Sequence, residues 1–224
     1  MSADGGLALS WSGGKDSALA LWVLREEAKV MPSALLATVT AEYERVSMHG
    51  VRRSLLRRQA AATGLPLVEI DIPARCTNEL YESRMAAACD GELAGVDEVA
   101  FGDLFLEDIR VYRESRLTAA GRRARFPLWG RDTKELAREF LAAGFQAILV
   151  CVDPRVLGRS FAGRDYDEEL LADLPDGVDP CGENGEFHTF VTAGPILTRS
   201  LACRRGDVVE RDGFVFCDLL DDPA

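Results

Sequence analysis

With 26 basic and 37 acidic side chains, the 224-residue chain carries a net charge of −11 and a sequence pI near 4.8. That balance disfavours broad attraction to nucleic acid or to an anionic membrane and leaves open only a local basic patch. Hydrophobic residues make up 47% of the chain, enough for one large domain or two small ones with sizeable cores. No apolar run approaches the roughly eighteen residues of a membrane span, and the amino end is polar and short, so the expectation is a soluble, cytoplasmic protein with no membrane partner. Cys76, Cys89, Cys151, Cys181, Cys203 and Cys217 stand far apart without a CxxC pair and read as reduced thiols.

The first element is a short apolar run over residues 7–9 that reads as a buried strand, and residues 17–24 begin a long apolar helix. The turn between them is Ser12-Gly13-Gly14-Lys15-Asp16-Ser17. Adjacent glycines reach positive φ and let a ligand approach the backbone, and the serines add hydroxyl groups. The helix that follows aims unpaired N–H groups and about half a positive charge into the same concavity. Lys15 adds a full charge, and Asp16 is suited to hold Mg²⁺ against phosphates. The turn is thus built for a polyphosphate, the alternative being an ordinary glycine turn ahead of a core helix. It departs from the common phosphate loop, which wants a glycine and a Ser or Thr where this chain has Leu9 and Asp16.

Residues 33–40 read as a second strand and residues 51–63 as a helix burying Val51, Leu55, Leu56 and Ala60. Arg52, Arg53, Arg57 and Arg58 fall on another face, either solvated or touching nucleic acid or phosphate. Gly64 and Pro66 end that helix, residues 67–72 form the next strand, and Thr77 caps a helix to about residue 93 with Leu80, Tyr81, Met85 and Ala88 inward. Residues 98–102 form another strand. Regular alternation of strand and helix argues for parallel strands with right-handed crossovers and a ligand beyond their carboxyl ends. The turn at Ser12, the stretch after Thr40 and Gly102-Asp103 converge there.

A helix over residues 107–116 and the arginines at 122–125 precede Phe126-Pro127-Leu128-Trp129, and Pro127 with Gly130 marks a boundary between domains 1–130 and 131–224. A helix from Thr133 turns Leu136, Ala137, Phe140 and Leu141 inward, stops at Gly144 and leads to an apolar strand over residues 147–152. Residues 153–186, rich in Gly, Asp and Pro with one short helix near 166–174, form a connection of the length that is functional or disordered. Strands over 187–191, 207–210 and 214–219 follow, the last two closed by Arg211-Asp212-Gly213. The fold class is α/β: a parallel-sheet domain followed by a smaller α+β domain.

Residues Ser12 to Ser17 match SGGxD[ST], the pyrophosphate loop of the ATP pyrophosphatases. Taken with Gly102-Asp103, Pro127-Leu128-Trp129, Leu157-Gly158-Arg159 and Cys181-Gly182-Glu183-Asn184-Gly185-Glu186-Phe187-His188-Thr189-Phe190-Val191, the chain resembles the diphthine–ammonia ligase family from Ser10 to about Leu197. The resemblance implies an adenine-nucleotide α-hydrolase domain of Rossmann-like fold facing a smaller C-terminal domain. It implies ATP and Mg²⁺ as cofactors, with ammonia and the carboxylate of diphthine on elongation factor 2 as substrates. ATP would be cut between its α and β phosphates, AMP placed on the carboxylate, and AMP displaced by ammonia to leave an amide.

By the same resemblance Ser12, Gly13, Gly14, Lys15, Asp16 and Ser17 hold the phosphates and Mg²⁺, with Asp16 as metal ligand; Thr38, His49 and Gly102 are further candidates for nucleotide binding, as is Asp103, which follows a strand and a glycine and is placed for metal or ribose contact. The candidate catalytic residues are Lys15, Asp16, Glu183, Glu186 and His188. Ammonia is mostly ammonium at neutral pH, so amide formation gains from a base, and Glu183, Glu186 and His188 are the candidates. Glu183 and Glu186 equally suit a Mg²⁺ site or a cationic substrate, whose trimethylammonium group the faces of Phe187 or Trp129 would attract. Each also has a structural reading: a solvated acidic loop for the glutamates, packing for His188, a turn for His49, a helix cap for Asp103, and either phosphate contact or a plain loop for Arg159. Two other functions stay open, an ATP pyrophosphatase acting on another small molecule or tRNA, and a non-catalytic sensor of adenine nucleotides.

Overall fold

A computed structural model of the chain describes residues 5–222. The first half alternates β1 (Gly6–Ser10), α1 (Lys15–Glu26), β2 (Ala34–Thr40), β3 (Arg45–Val46), α2 (Arg53–Thr63), β4 (Leu67–Ile72), α3 (Asn78–Asp90), β5 (Val96–Ala100), α4 (Glu107–Ala119) and β6 (Arg123–Arg125). Strands β4, β2, β1, β5 and β6 lie side by side and parallel, the arrangement expected of the alternation. Only β3 breaks it, pairing antiparallel with Val39 and Thr40 of β2.

The chain leaves β1 for β2 on one side and later returns to β5 on the other, so the order reverses at β1. The carboxyl ends of β1 and β5 therefore frame the crevice where such sheets bind ligands. The glycine turn follows the first, and Gly102-Asp103 follows the second.

The second half holds α5 (Thr133–Ala142), β7 (Gln146–Val152), α6 (Glu168–Asp173), β8 (Phe187–Ala193), β9 (Cys203–Arg211) and β10 (Phe214–Asp221). Its strands form an antiparallel sheet in the order β8-β7-β10-β9. Asp132 caps α5, its side chain accepting from the N–H groups of Lys134 and Glu135. Asp212 (φ 51°) and Gly213 (φ 81°) close the β9–β10 hairpin with the left-handed pair that two-residue turns require. The long connection over 153–186 is tied down, with the Asp153 N–H donating to the Glu186 carbonyl and the Tyr166 hydroxyl donating to that of Pro180.

Helix α1 explains how the halves meet. Ala18, Leu19, Ala20, Leu21, Val23 and Leu24 are all buried, as in a helix covered on more than one side. One apolar core takes in Leu9 of β1, Leu19 and Leu21 of α1, Leu55 of α2, and Leu149 and Phe190 of the second sheet. Full burial of each such leucine stabilises the fold by about 1.5–3 kcal/mol. The opposite face of the first sheet has its own core, where Ala8, Leu36 and Val99 pack with Ala88, Leu93 and Leu117. Thr77 does cap α3, accepting from the Leu80 N–H, but Leu80 itself is exposed and Cys89 points inward instead.

The α2 arginines are matched within the chain. Arg53 and Arg57 grip Glu69 of β4, Arg52 shares Asp218 of β10 with Arg45, and Arg58 pairs with Asp221. They tie α2 to β4 and to the far end of the chain, while the Arg52 and Arg57 side chains stay 41% and 55% exposed. All six cysteines are free, and among the described residues no helix is long and apolar enough to cross a membrane.

Candidate active site

The glycine turn owes its shape to neighbours on both halves. Gly13 has φ +78°, and a Cβ there would come within 2.6 Å of the Gln59 Oε1, so conformation and space both require glycine. Gly14 is the N-cap of α1, which starts at Lys15, two residues before the apolar pattern predicts. Ser12 Oγ accepts from the Gly14 N–H at 3.2 Å, and Ser17 Oγ donates to the Gly14 carbonyl at 3.0 Å. Strand β8 supplies the other wall: the Lys15 N–H donates to Thr189 Oγ1 at 3.0 Å, and the Val191 N–H to the Gly13 carbonyl at 2.9 Å. One of the helix N–H groups expected to face a phosphate is thus already spent on Thr189.

Against this turn lies a cavity of about 250 Å³, lined by Ser12, Lys15, Asp16, Ser17, His49, Gly102, Asp103, Glu183 and His188 among others. Lys15 is only 4% exposed, with its Nζ 2.6 and 2.8 Å from the Asp16 oxygens and 5.6 Å from the centre of the Phe187 ring. Burial is the largest influence and opposes the Lys15 charge, but Asp16, Cys181 and Glu183 together hold the ammonium above its ordinary value. Burial raises the Asp16 carboxyl against the pull of Lys15, with Asp179 and Asp103 adding to the rise. Glu183, whose Oε1 accepts from the Leu104 N–H at 2.7 Å, is pushed up to about 7, chiefly by burial, with Asp16 and Asp103 contributing.

Gly102 and Asp103 reach the cavity because β5 ends hard against α1: a Cβ on Gly102 would sit 2.8 Å from the Asp16 carbonyl carbon. Asp103 is no helix cap, that place being taken by Leu106. It is held by Arg113 of α4, whose Nε lies 2.8 Å away and whose guanidinium lies over the Phe101 ring at 4.3 Å. His49 and His188 stand together over the turn, and burial drives both pKa values down, His188 to about 4.

Other predicted residues stand elsewhere. Thr38 is inside β2, its carbonyl accepting from the Ser47 N–H, and does not line the cavity. Glu186 is buried behind the 179–186 turn, with Oε1 accepting from the Asp179 N–H and the Asn184 amide, so it braces that turn. The Trp129 ring is covered by Arg110 at 4.7 Å, and the buried Phe187 ring already faces Lys15. Arg159 donates to the Val208 carbonyl, away from the cavity. Sequence reasoning in turn misses Gln59 and Arg113. Gln59 has one visible signal, a polar residue in the apolar stripe of Leu55, Leu56 and Ala60; Arg113, on a mostly polar helix, has none.

The donor set suits Mg²⁺. The charge of Asp103 raises the proton affinity of Asp16 and Glu183, and that of Asp16 raises Glu183 further, a repulsion that a hard cation relieves. Among the described residues no three side chains form a ready-made metal cage. Mg²⁺ typically takes one or two carboxylates and completes its shell with phosphate and water.

Fold and site together define a Rossmann-like α/β protein with an acidic, lysine-bearing cavity at the switch point of its sheet. The chain belongs to the diphthamide synthase family: the family's N-terminal domain matches residues 6–123 and its C-terminal domain residues 132–216. The diphthine–ammonia ligase of Homo sapiens is 32% identical over 100 residues, 41% of this chain and 36% of that protein. The protein of that name from Rattus norvegicus is 26% identical over 182 residues, 71% of this chain and 66% of its own length. For the one from Schizosaccharomyces pombe the figures are 29% over 96 residues, 41% and 16%. The matched stretch spans less than two thirds of each of these relatives.

Proposed function

We propose that the protein is an ATP-dependent carboxylate–ammonia ligase that forms AMP and pyrophosphate. The observation that carries this reading is the union of a glycine turn, a buried lysine and a set of carboxylates in one cavity at the switch point. The ligases named among its relatives support it. Ser12, Gly13, Gly14 and Ser17, with Lys15, would seat the phosphates, and Asp16 and Asp103 would hold Mg²⁺. When bound, Mg²⁺ supplies charge neutralisation for an otherwise repulsive meeting of carboxylate and polyphosphate.

A carboxylate oxygen of the acceptor attacks the α-phosphorus, and the bond to pyrophosphate breaks. Lys15 stabilises the charge that grows on the departing phosphates, and its burial makes that interaction stronger than in water. The nitrogen of ammonia then adds to the acyl carbon, AMP leaves with the attacking oxygen, and a base takes the surplus proton. Glu183 fits that task best, since a pKa of about 7 lies near the working pH. His188, at about 4, is a poor acceptor and acts as a wall of the cavity. Diphthine, the substrate in the relatives' name, is the first acceptor to try.

Product analysis tests the proposal. AMP and pyrophosphate should appear only with ATP, Mg²⁺, an acceptor carboxylate and ammonium together, and Asp16→Ala should abolish turnover. Turnover that is unchanged in Asp16→Ala removes that residue from the mechanism, and ADP as the product removes the reaction.

A further inference from the structure

Gln59 is a buried side chain that the proposed chemistry leaves unused. It stands on α2 with no exposed surface. A buried amide needs its donors and acceptor met. Here Nε2 donates to the Gly13 carbonyl at 2.9 Å and to the Val191 carbonyl at 2.7 Å, while Oε1 accepts from the Trp11 indole N–H at 3.0 Å. The reverse orientation would set oxygen against two carbonyls and NH₂ against an N–H, so the partners themselves fix the amide.

The Gly13 carbonyl receives a second donor from the Val191 N–H, also at 2.9 Å. Two donors on one oxygen hold the plane of the Gly13–Gly14 peptide. In a trans peptide the C=O and N–H point opposite ways, and the described residues contain no cis bond. With the oxygen pinned toward the core, the Gly14 N–H is aimed the other way, onto Ser12 Oγ in the cavity lining. We infer that Gln59 is a positioning residue for polyphosphate: it sets the peptide plane that aims the Gly14 N–H at the place now taken by Ser12 Oγ, where a phosphate oxygen would replace the hydroxyl as acceptor. The inference rests on the phosphate-binding reading of the turn proposed above. It also gives Gly13 a second reason to be glycine, because Gln59 occupies the space a side chain would need.

Calorimetric titration of the whole chain with Mg²⁺–pyrophosphate and, separately, with AMP tests it. Gln59→Met keeps length and burial but removes both donors. Trp11→Phe removes the indole donor and leaves the grip on the Gly13 carbonyl intact. Gln59→Met should weaken pyrophosphate binding roughly tenfold, equivalent to about 1.4 kcal/mol, and leave AMP binding within about twofold. Trp11→Phe should lower the thermal midpoint and keep pyrophosphate affinity within about twofold, the split a merely structural role would not produce.

Wild type that binds pyrophosphate alongside an unaffected Gln59→Met overturns this inference alone, as does an equal loss in Trp11→Phe. Wild type that does not bind pyrophosphate overturns the reading of the turn as well. Should Gln59→Met fail to fold, the amide resonance of Gly14 in the unaltered protein decides: it must shift when pyrophosphate is added, and an unmoved resonance overturns the inference.

Discussion

His49 and His188, the chain's two histidines, lie ring against ring over the glycine turn, with centroids 4.5 Å apart and planes tilted by 33°. One comes from the loop after β3 and the other from β8, so the pair forms only when the two halves of the chain are packed together. Two imidazolium ions would repel at that distance, and Lys15 adds to the repulsion.

Burial of the two rings, with Lys15 close by, makes stability depend on pH. His188 falls in the folded state from 6.5 to about 4, so between those values the unfolded chain binds more protons and stability drops as the pH is lowered. The loss should reach about 3 kcal/mol by pH 4. Denaturant midpoints at pH 7.5 and pH 4.5 check it: His188→Gln should lose less than wild type over that interval. An equal loss in both would show that His188 does not carry the effect.

Glu183 behaves in the opposite sense. Its folded pKa, raised from 4.5 to about 7, makes the folded state bind the extra proton, so stability is present below pH 4.5 and lost as pH rises through 7. Glu183→Gln should therefore stabilise the fold at pH 8, by up to about 3 kcal/mol, while lowering the rate about a hundredfold or more. Thermal melts beside turnover measurements read both. A variant neither more stable nor slower would take Glu183 out of the proposed role.

Gly102→Ala tests the approach of β5 to α1. The added methyl would meet the Asp16 backbone at 2.8 Å, and backbone cannot swing aside as a side chain can. Destabilisation of about 1–3 kcal/mol is expected, together with weaker Mg²⁺–ATP binding, because the first turn of α1 must shift. Unaltered binding by calorimetry would show that the contact has slack.

Asp218→Asn tests the bolt between the halves. Asp218 receives Arg45 at 2.8 Å and Arg52 at 2.7 Å, the two residues that flank the loop bearing His49. Its loss leaves two guanidinium groups short of a partner and should cost about 2 kcal/mol. Faster amide exchange confined to residues 46–51 would accompany it. Exchange unchanged there would mean the loop is held by other contacts, such as Gly50 against Phe216.

Much of this was legible in the sequence, because the signals were local. Alternating apolar segments and turn residues mark β1, α1, β2, α2 and β4, and Asp212-Gly213 announces its hairpin. Strands β3 and β6 were not legible, since two or three residues containing arginine carry no periodicity of their own; tertiary pairing makes them strands. The same contrast divides the site. Lys15, Asp16 and Gly102 are marked by their neighbours in sequence, whereas Gln59 and Arg113 act through partners distant in the chain. Glu186 illustrates the reverse failure, a carboxylate in the right stretch that faces the wrong way.

The central claim is that the turn seats ATP with its α-phosphorus open to a carboxylate oxygen. Isotope transfer tests it most directly. With the acceptor carboxylate enriched in ¹⁸O, one heavy oxygen should appear in the phosphate of the AMP released, detectable by mass spectrometry. AMP carrying only oxygen from ATP and water, or ADP in its place, would contradict the account.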